Sequence, residues 1–227
     1  MLQGILWKDM RLSEVLKLIF SNGYSGFLYI GDIEENHVLF KEGRIVYAEY
    51  NDYYDMDALQ EIAITSEKFD FVKHESVYFK SDFEKQTPNA IAIVESVENE
   101  FPNFSHLLNE FVNFTEGSEN ISLTKEELKF LSVLEFKPTR VKKIIDRLHK
   151  PSIEVLRMLD ELVKKSVLYS YNVNNPKIYE YLVDNYPDIA TIFEQSKGDL
   201  RRFETELKRN HPDIANKVLR EIREAVR

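Results

Sequence analysis

The residues best suited to chemistry fall into two clusters, one basic and one aromatic. Lys137, Arg140, Lys142, Lys143, Arg147 and Lys150 crowd a short stretch, and Arg157 follows a little beyond. Cations gathered on one helix face neutralise phosphates and release counterions, so this stretch suits a DNA backbone or an acidic protein. The acidic part of the same chain is one such partner. The next segment, Ser152-Ile153-Glu154-Val155-Leu156-Arg157-Met158, sets Glu154 and the later Glu161 beside Arg157. It lacks the Asn, Gln or Arg cluster that reads base edges. The aromatic cluster is Tyr47, Tyr50, Tyr53 and Tyr54, set among Asp52, Asp55 and Asp57. Aromatic rings are enriched in protein interfaces, which makes these tyrosines the first candidates for partner docking. The plain alternative is that two of them pack on a sheet.

Other chemistries find little support. Asp52, Asp55 and Asp57 are spaced only vaguely like a calcium loop, which needs oxygens at alternate positions, a central glycine and a closing glutamate. The histidines His37, His74, His106, His149 and His211 fall in separate elements, with no pair at helical spacing for a metal. Seven glycines never form the clustered pattern that lets backbone N–H groups cradle a phosphate, and no Gly-x-Ser-x-Gly elbow occurs. There is no cysteine, so thiolate metal sites and cysteine nucleophiles are excluded. The expectation is a protein without catalytic residues, metal or cofactor.

Composition frames these clusters. The chain has 227 residues, 43% of them apolar and 30% charged, enough for one large or two modest packed domains. Absence of cysteine, of a long apolar run and of a signal-like N-terminus leads to the expectation of a cytoplasmic protein that does not span a membrane. Charge is uneven: residues 1–136 carry 11 Lys/Arg against 25 Asp/Glu, and residues 137–227 carry 19 against 14.

Hydrophobic spacing predicts a helix over 9–21, with Met10, Leu12, Val15, Leu16 and Ile19 on one face, Ser13 as a possible cap and Gly23 as its stop. Phe27–Ile30, His37–Phe40 and Arg44–Glu49 are short aromatic and β-branched runs joined by turns, an antiparallel meander. A helix through Ala58, Leu59 and Ile62 follows, then strands at Phe69–Val72 and Val77–Phe79. Pro88 opens a helix that Pro102 should interrupt, and a second helix is expected through Leu107, Leu108, Phe111 and Phe114. This apolar pair, over 88–114, suits a cover for the sheet or a homodimer seam.

After a linker candidate at Glu116–Asn120, Thr124 and Glu127 form a capping-box pattern. Helices to about Glu135, over 139–148 and over 151–165 precede a possible hairpin from Val167 to Tyr179, the order of a winged helix-turn-helix unit. Polar amphipathic helices finish the chain. In them Asn185-Tyr186-Pro187-Asp188-Ile189-Ala190 recurs as Asn210-His211-Pro212-Asp213-Ile214-Ala215.

The first 72 residues resemble the PATAN domain, the N-terminal module of PatA-like bacterial response regulators. The resemblance rests on Leu2, Gly4, the helix of Leu12, Val15, Leu16 and Ile19, then Gly23, Ser25, Gly26, Leu28 and Phe40. Gly43-Arg44-Ile45-Val46-Tyr47-Ala48, Ala58-Leu59 and Phe69-Asp70-Phe71 complete it. It covers about a third of the chain and implies a small, non-enzymatic interaction domain of bacterial signalling, often continued by helices and a winged-helix-like segment. The receiver domain that accompanies it in response regulators has no counterpart here. The expected architecture is α+β: a PATAN-like domain over 1–80, connecting helices over 88–115, a winged-helix-like domain over 121–180 and a helical tail over 181–227. The expected role is a regulatory adaptor that binds a protein partner, with a DNA-binding transcriptional regulator as the alternative.

Overall fold

The computed structural model describes residues 2–75, 81–115, 121–134 and 136–225. The expected strand at Val77–Phe79 and the linker candidate at Glu116–Asn120 lie outside these residues. The chain is α+β and divides into two compact units, Met1–Ser105 with His149–Arg157, and His106–Leu148 with Met158–Arg227.

The first unit contains β1 (Leu2–Ile5), α1 (Leu12–Asn22), β2 (Gly26–Ile30), β3 (His37–Lys41), β4 (Arg44–Tyr50), β5 (Tyr53–Tyr54), α2 (Asp55–Ala63), β6 (Lys68–Lys73) and α3 (Thr87–Phe104). Its strands form one antiparallel sheet in the order β1-β6-β2-β3-β4-β5. The expected meander is β2 to β4. Its second turn places Glu42 at φ 50° and Gly43 at φ 79°, the two positive values of a type I′ hairpin. A side chain at Gly43 would also come within 2.7 Å of the Phe20 carbonyl oxygen, so only glycine fits there.

Leu12, Val15, Leu16 and Ile19 of α1 are all at most 1% exposed, and α1 stops at Gly23 with φ 61°. Each such side chain contributes roughly 1.5–3 kcal/mol by leaving water. Ser13 is not the cap: α1 starts one residue earlier, and Ser13 sits inside the first turn. The N–H and hydroxyl of Ser13 both donate to the Glu98 carboxylate of α3, at 3.1 and 2.5 Å. The apolar face of α3 (Ala90, Ile91, Val94, Val97) lies in the core of this unit, packed with α1 and α2, and is not open as a dimer seam. Pro102 removes one backbone donor but does not end α3, which runs on to Phe104 before a 3-10 turn over Ser105–Asn109.

The second unit contains β7 (Phe111–Phe114), α4 (Lys125–Ser132), β8 (Thr139–Arg140), α5 (Val141–Leu148), α6 (Ser152–Lys164), β9 (Leu168–Tyr171), α7 (Pro176–Asn185), α8 (Pro187–Gln195), α9 (Leu200–Asn210) and α10 (Ala215–Ala225). The first residues of α6, up to Arg157, belong to the first unit. The capping box on α4 forms: the Thr124 hydroxyl accepts from Glu127 N at 3.2 Å, and Glu127 accepts from Thr124 N at 2.7 Å.

Two linked expectations fail here. Phe111–Phe114 is not a helix but the central strand of a small sheet ordered β8-β7-β9. Four mostly apolar residues carry no periodicity long enough to separate strand from helix, and pairing on both sides decided it. Correspondingly, no hairpin follows β9. Asn175 turns the chain at φ 58°, Pro176 takes the first position of α7, and Lys177-Ile178-Tyr179 is helical. The strand expected from 177–179 is supplied from upstream, by β7.

The sequence repeat is also a structural one. Tyr186 and His211 share one backbone conformation (φ −144°, ψ 64° and φ −137°, ψ 62°), and each donates its N–H to a leucine four residues back, Leu182 and Leu207. Each then accepts from the alanine four residues on, Ala190 and Ala215. Thus α7–α8 and α9–α10 are two helical hairpins of the same build. Equivalent positions Ile178 and Phe203, Leu182 and Leu207, and Phe193 and Val218 are buried in one cluster with Phe111 and Tyr179.

Candidate functional site

Strands alternate their side chains between faces, so β2, β3, β4 and β6 each present two sets. Leu28, Ile30, Val38, Phe40, Ala48 and Phe71 point into the core of the first unit. The other set is Phe27, Tyr29, His37, Leu39, Tyr47 and Val72, together with the acids Glu49 and Asp70. The register aligns Val72, Phe27, Leu39 and Tyr47 in one cross-strand row, and Asp70, Tyr29, His37 and Glu49 in the next. The rings touch in sequence: Phe27 on Tyr29 at 5.8 Å, Phe27 on His37 at 5.5 Å, and His37 on Tyr47 at 5.8 Å. His74, just past β6, adds an edge contact to Phe27 at 5.3 Å. The outward face of an antiparallel sheet is normally polar; this one is aromatic, with Val72 39% exposed and His74 exposed as well.

Its charged groups are the acids Glu49 and Asp70, with Lys68 two residues before Asp70 in β6 and Lys41 two residues after Leu39 in β3 on the same side. The Tyr47 hydroxyl donates to Glu49 at 2.7 Å. Burial, with this carboxylate beside it, pushes the phenol well above its ordinary range, so it stays a neutral donor. Asp70, directly opposite Tyr29, has its Oδ1 shielded from solvent without a hydrogen-bond partner. Such an orphaned acceptor is costly to the fold. Residues 1–105 carry 9 Lys/Arg against 19 Asp/Glu, so the surrounding field is negative.

The four tyrosines singled out in the sequence do not form one surface. In β4, alternation sends Tyr47 outward and Tyr50 inward, where Tyr50 is 7% exposed and donates to Glu67 at 3.1 Å. Tyr53 packs against the core, and its hydroxyl donates to the Lys150 carbonyl at 3.2 Å. Tyr54 is 55% exposed. Tyr54 lies opposite Glu49 in the register and so continues the outward face beyond Tyr47: two of the four tyrosines belong to it, and Tyr50 and Tyr53 pack on the core side. Nothing in a count of tyrosines shows this; the Phe27-x-Tyr29 and His37-x-Leu39 spacings, read as one outward set, are the signal that does.

The basic stretch also divides. Lys137, Arg140, Lys142, Lys143 and Arg147 belong to the second unit, Lys150 and Arg157 to the first. Lys137 and Lys143 both bind Asp184 of α7, at 2.8 and 3.1 Å, and Arg140 lies 3.9 Å from Glu180 one turn earlier. Burial works to raise the Asp184 pKa, but the two ammonium groups outweigh it and hold the carboxyl below its ordinary range. Arg147 donates to the Val133 carbonyl at 3.0 Å, and Lys142 is exposed. Lys150 faces Glu154 at 3.7 Å, and Arg157 pairs with Glu100 at 2.8 Å. These cations are largely matched by acids of their own unit.

The segment 152–158, which a winged-helix order would make the recognition helix, is not available either. Ser152, Ile153, Val155 and Leu156 are buried, and Ile153 sits in the core of the first unit. The Glu61 carboxylate of α2 accepts from the Ser152 N–H and hydroxyl and so caps the start of α6. This repeats the grip of Glu98 on Ser13. In both cases burial raises the carboxyl pKa despite the hydrogen bonds, and the pairs are explained by helix capping.

Among the described residues no group of three or more His, Cys, Asp or Glu could hold a metal ion, and no helix is long and apolar enough to cross a membrane. A hollow of about 390 Å³ in the second unit is lined by Ile178, Leu200, Phe203, Leu219 and Ile222, with Glu204 and Arg223 at its edge. Glu204 is engaged by Lys208 at 2.6 Å. No family model matches the chain, and neither a curated protein nor a solved structure shows similarity to it.

Proposed function

We propose that this chain is a non-enzymatic adaptor of bacterial signalling that works by docking a protein partner on the aromatic face of the first unit's sheet. The observation that carries this reading is the continuous run of Phe27, Tyr29, His37 and Tyr47 on the side of the sheet opposite its core. The PATAN-like pattern of the first 72 residues agrees with it, and the cysteine-free sequence suits a cytoplasmic setting. The DNA-regulator reading is weaker on two counts. The cations it needs are matched by Asp184, Glu180, Glu154 and Glu100, and the helix it would insert in a groove is buried at its start.

The test is a photo-crosslinking residue placed at His74, on the face, and in a separate variant at Lys142, away from it. The adaptor reading expects a protein adduct from position 74, lost when Phe27 is replaced by Ser, and none from position 142. Binding of a generic labelled duplex that collapses with added salt, with no adduct at 74, would overturn it in favour of the regulator.

A further inference from the structure

We propose that the partner segment received by this sheet face is basic: an extended stretch whose Arg or Lys side chains lie over Phe27 and Tyr29 and end on the Asp70 carboxylate. The inference rests on the adaptor reading and adds the chemistry of what binds. Aromatic ring faces attract cations, guanidinium above all, and the attraction grows once water is displaced. Phe27 and Tyr29 lie with ring centroids 5.8 Å apart and planes within 12° of parallel, both half-buried. Asp70 stands opposite Tyr29 in the register; its Oδ1 is shielded and unpartnered, and the residue is only half-buried, so its carboxylate is the acid a cation over Tyr29 would meet. Glu49 extends the acidic row on the far side of His37. The first unit already seats its own cations on rings, Lys73 Nζ at 3.4 Å over Tyr24 and the Arg11 guanidinium at 5.3 Å over Trp7. The excess of acids over bases in residues 1–105 steers a basic segment toward this unit and repels a nucleic acid from it.

Two short fluorescein-labelled peptides test this, one alternating Leu with Arg and one alternating Leu with Glu, titrated by anisotropy against the full chain. The Arg probe should bind about tenfold or more tightly than the Glu probe and weaken with added salt. Asp70→Asn and Tyr29→Ser should each lower its affinity about tenfold, with unchanged Trp7 fluorescence showing that the unit remains folded. Equal binding of the two probes overturns the proposal, as do variants that bind like the parent, or tighter binding of a single-stranded oligonucleotide. A position-74 adduct that proves to be a second copy of this chain overturns it too. If a protein adduct forms at position 74 but the Arg probe does not bind, the basic segment is wrong and the adaptor reading survives. If neither occurs, both fall.

Discussion

Both units build a chain of touching aromatic rings, and they put it in opposite places. In the second unit Phe111, Tyr179, Phe193 and Phe203 follow one another at 4.9, 6.2 and 5.1 Å, all at most 1% exposed. In the first unit Phe27, Tyr29, His37 and Tyr47 make contacts of similar length outside the core, which is instead dominated by Leu, Ile, Val and Ala. Ring geometry therefore does not tell structure from function; what lies on the other side of the rings does. Buried rings gain from packing on every face. Rings on the outer side of the sheet are only half-buried.

The comparison is broken most directly at Phe193. Phe193→Ala removes a ring held between Tyr179 and Phe203 and should cost about 3–5 kcal/mol, read by urea denaturation with tyrosine near-UV circular dichroism. Phe27→Ala should cost about 1 kcal/mol or less while abolishing adduct formation at the face. Equal losses at both positions would mean that the outer rings are a second core. At Tyr179 the hydroxyl meets Tyr171 at 2.9 Å and Glu194 at 3.4 Å, and burial pushes the phenol up to about 12. Tyr179→Phe keeps the ring and loses only these bonds, so about 1 kcal/mol is expected in the same assay.

The smallest effect separates the units by pH. Glu98 and Glu61 of the first unit are held by serine N–H and hydroxyl groups, and burial raises their pKa values. A raised carboxyl pKa means that the fold binds the proton more tightly than the unfolded chain does. The first unit should gain stability as pH falls from neutral through these raised values toward about 4.3. In the second unit the Lys165 ammonium at 2.5 Å from Glu127 lowers that carboxyl, and Lys137 and Lys143 lower Asp184. Their contribution is full above the ordinary carboxyl values and is lost as pH drops through the lowered ones. Trp7, the single tryptophan, reports the first unit by fluorescence; amide exchange of α4 and α7 reports the second. Parallel acid profiles would contradict the assignment.

Much of this arrangement was legible in the residues. The meander, α2, the capping box on α4 and the repeated Pro-Asp-Ile-Ala phrase all carry local signals that the fold obeys. The strand β7 was not legible, because Phe111-Val112-Asn113-Phe114 takes its identity from partners at Thr139–Arg140 and Leu168–Tyr171, distant in sequence. The aromatic face was half legible. Each strand could be read, but the face emerges only when the register sets Phe27 against Leu39 and Val72. The basic stretch looked like a binding surface because its counter-charges, Glu180 and Asp184, lie some forty residues further on.

The two like hairpins at the C-terminal end make that part of the chain sensitive to reading phase. His211 stands 25 residues after Tyr186, and the buried positions keep the same offset. One residue inserted within α9 would rotate the rest of that helix by about 100° and swing Phe203 or Leu207 out of register with its neighbours. A whole hairpin added or removed would preserve the phase. The tail is thus built in units of length, tolerant of duplication and intolerant of a single-codon slip.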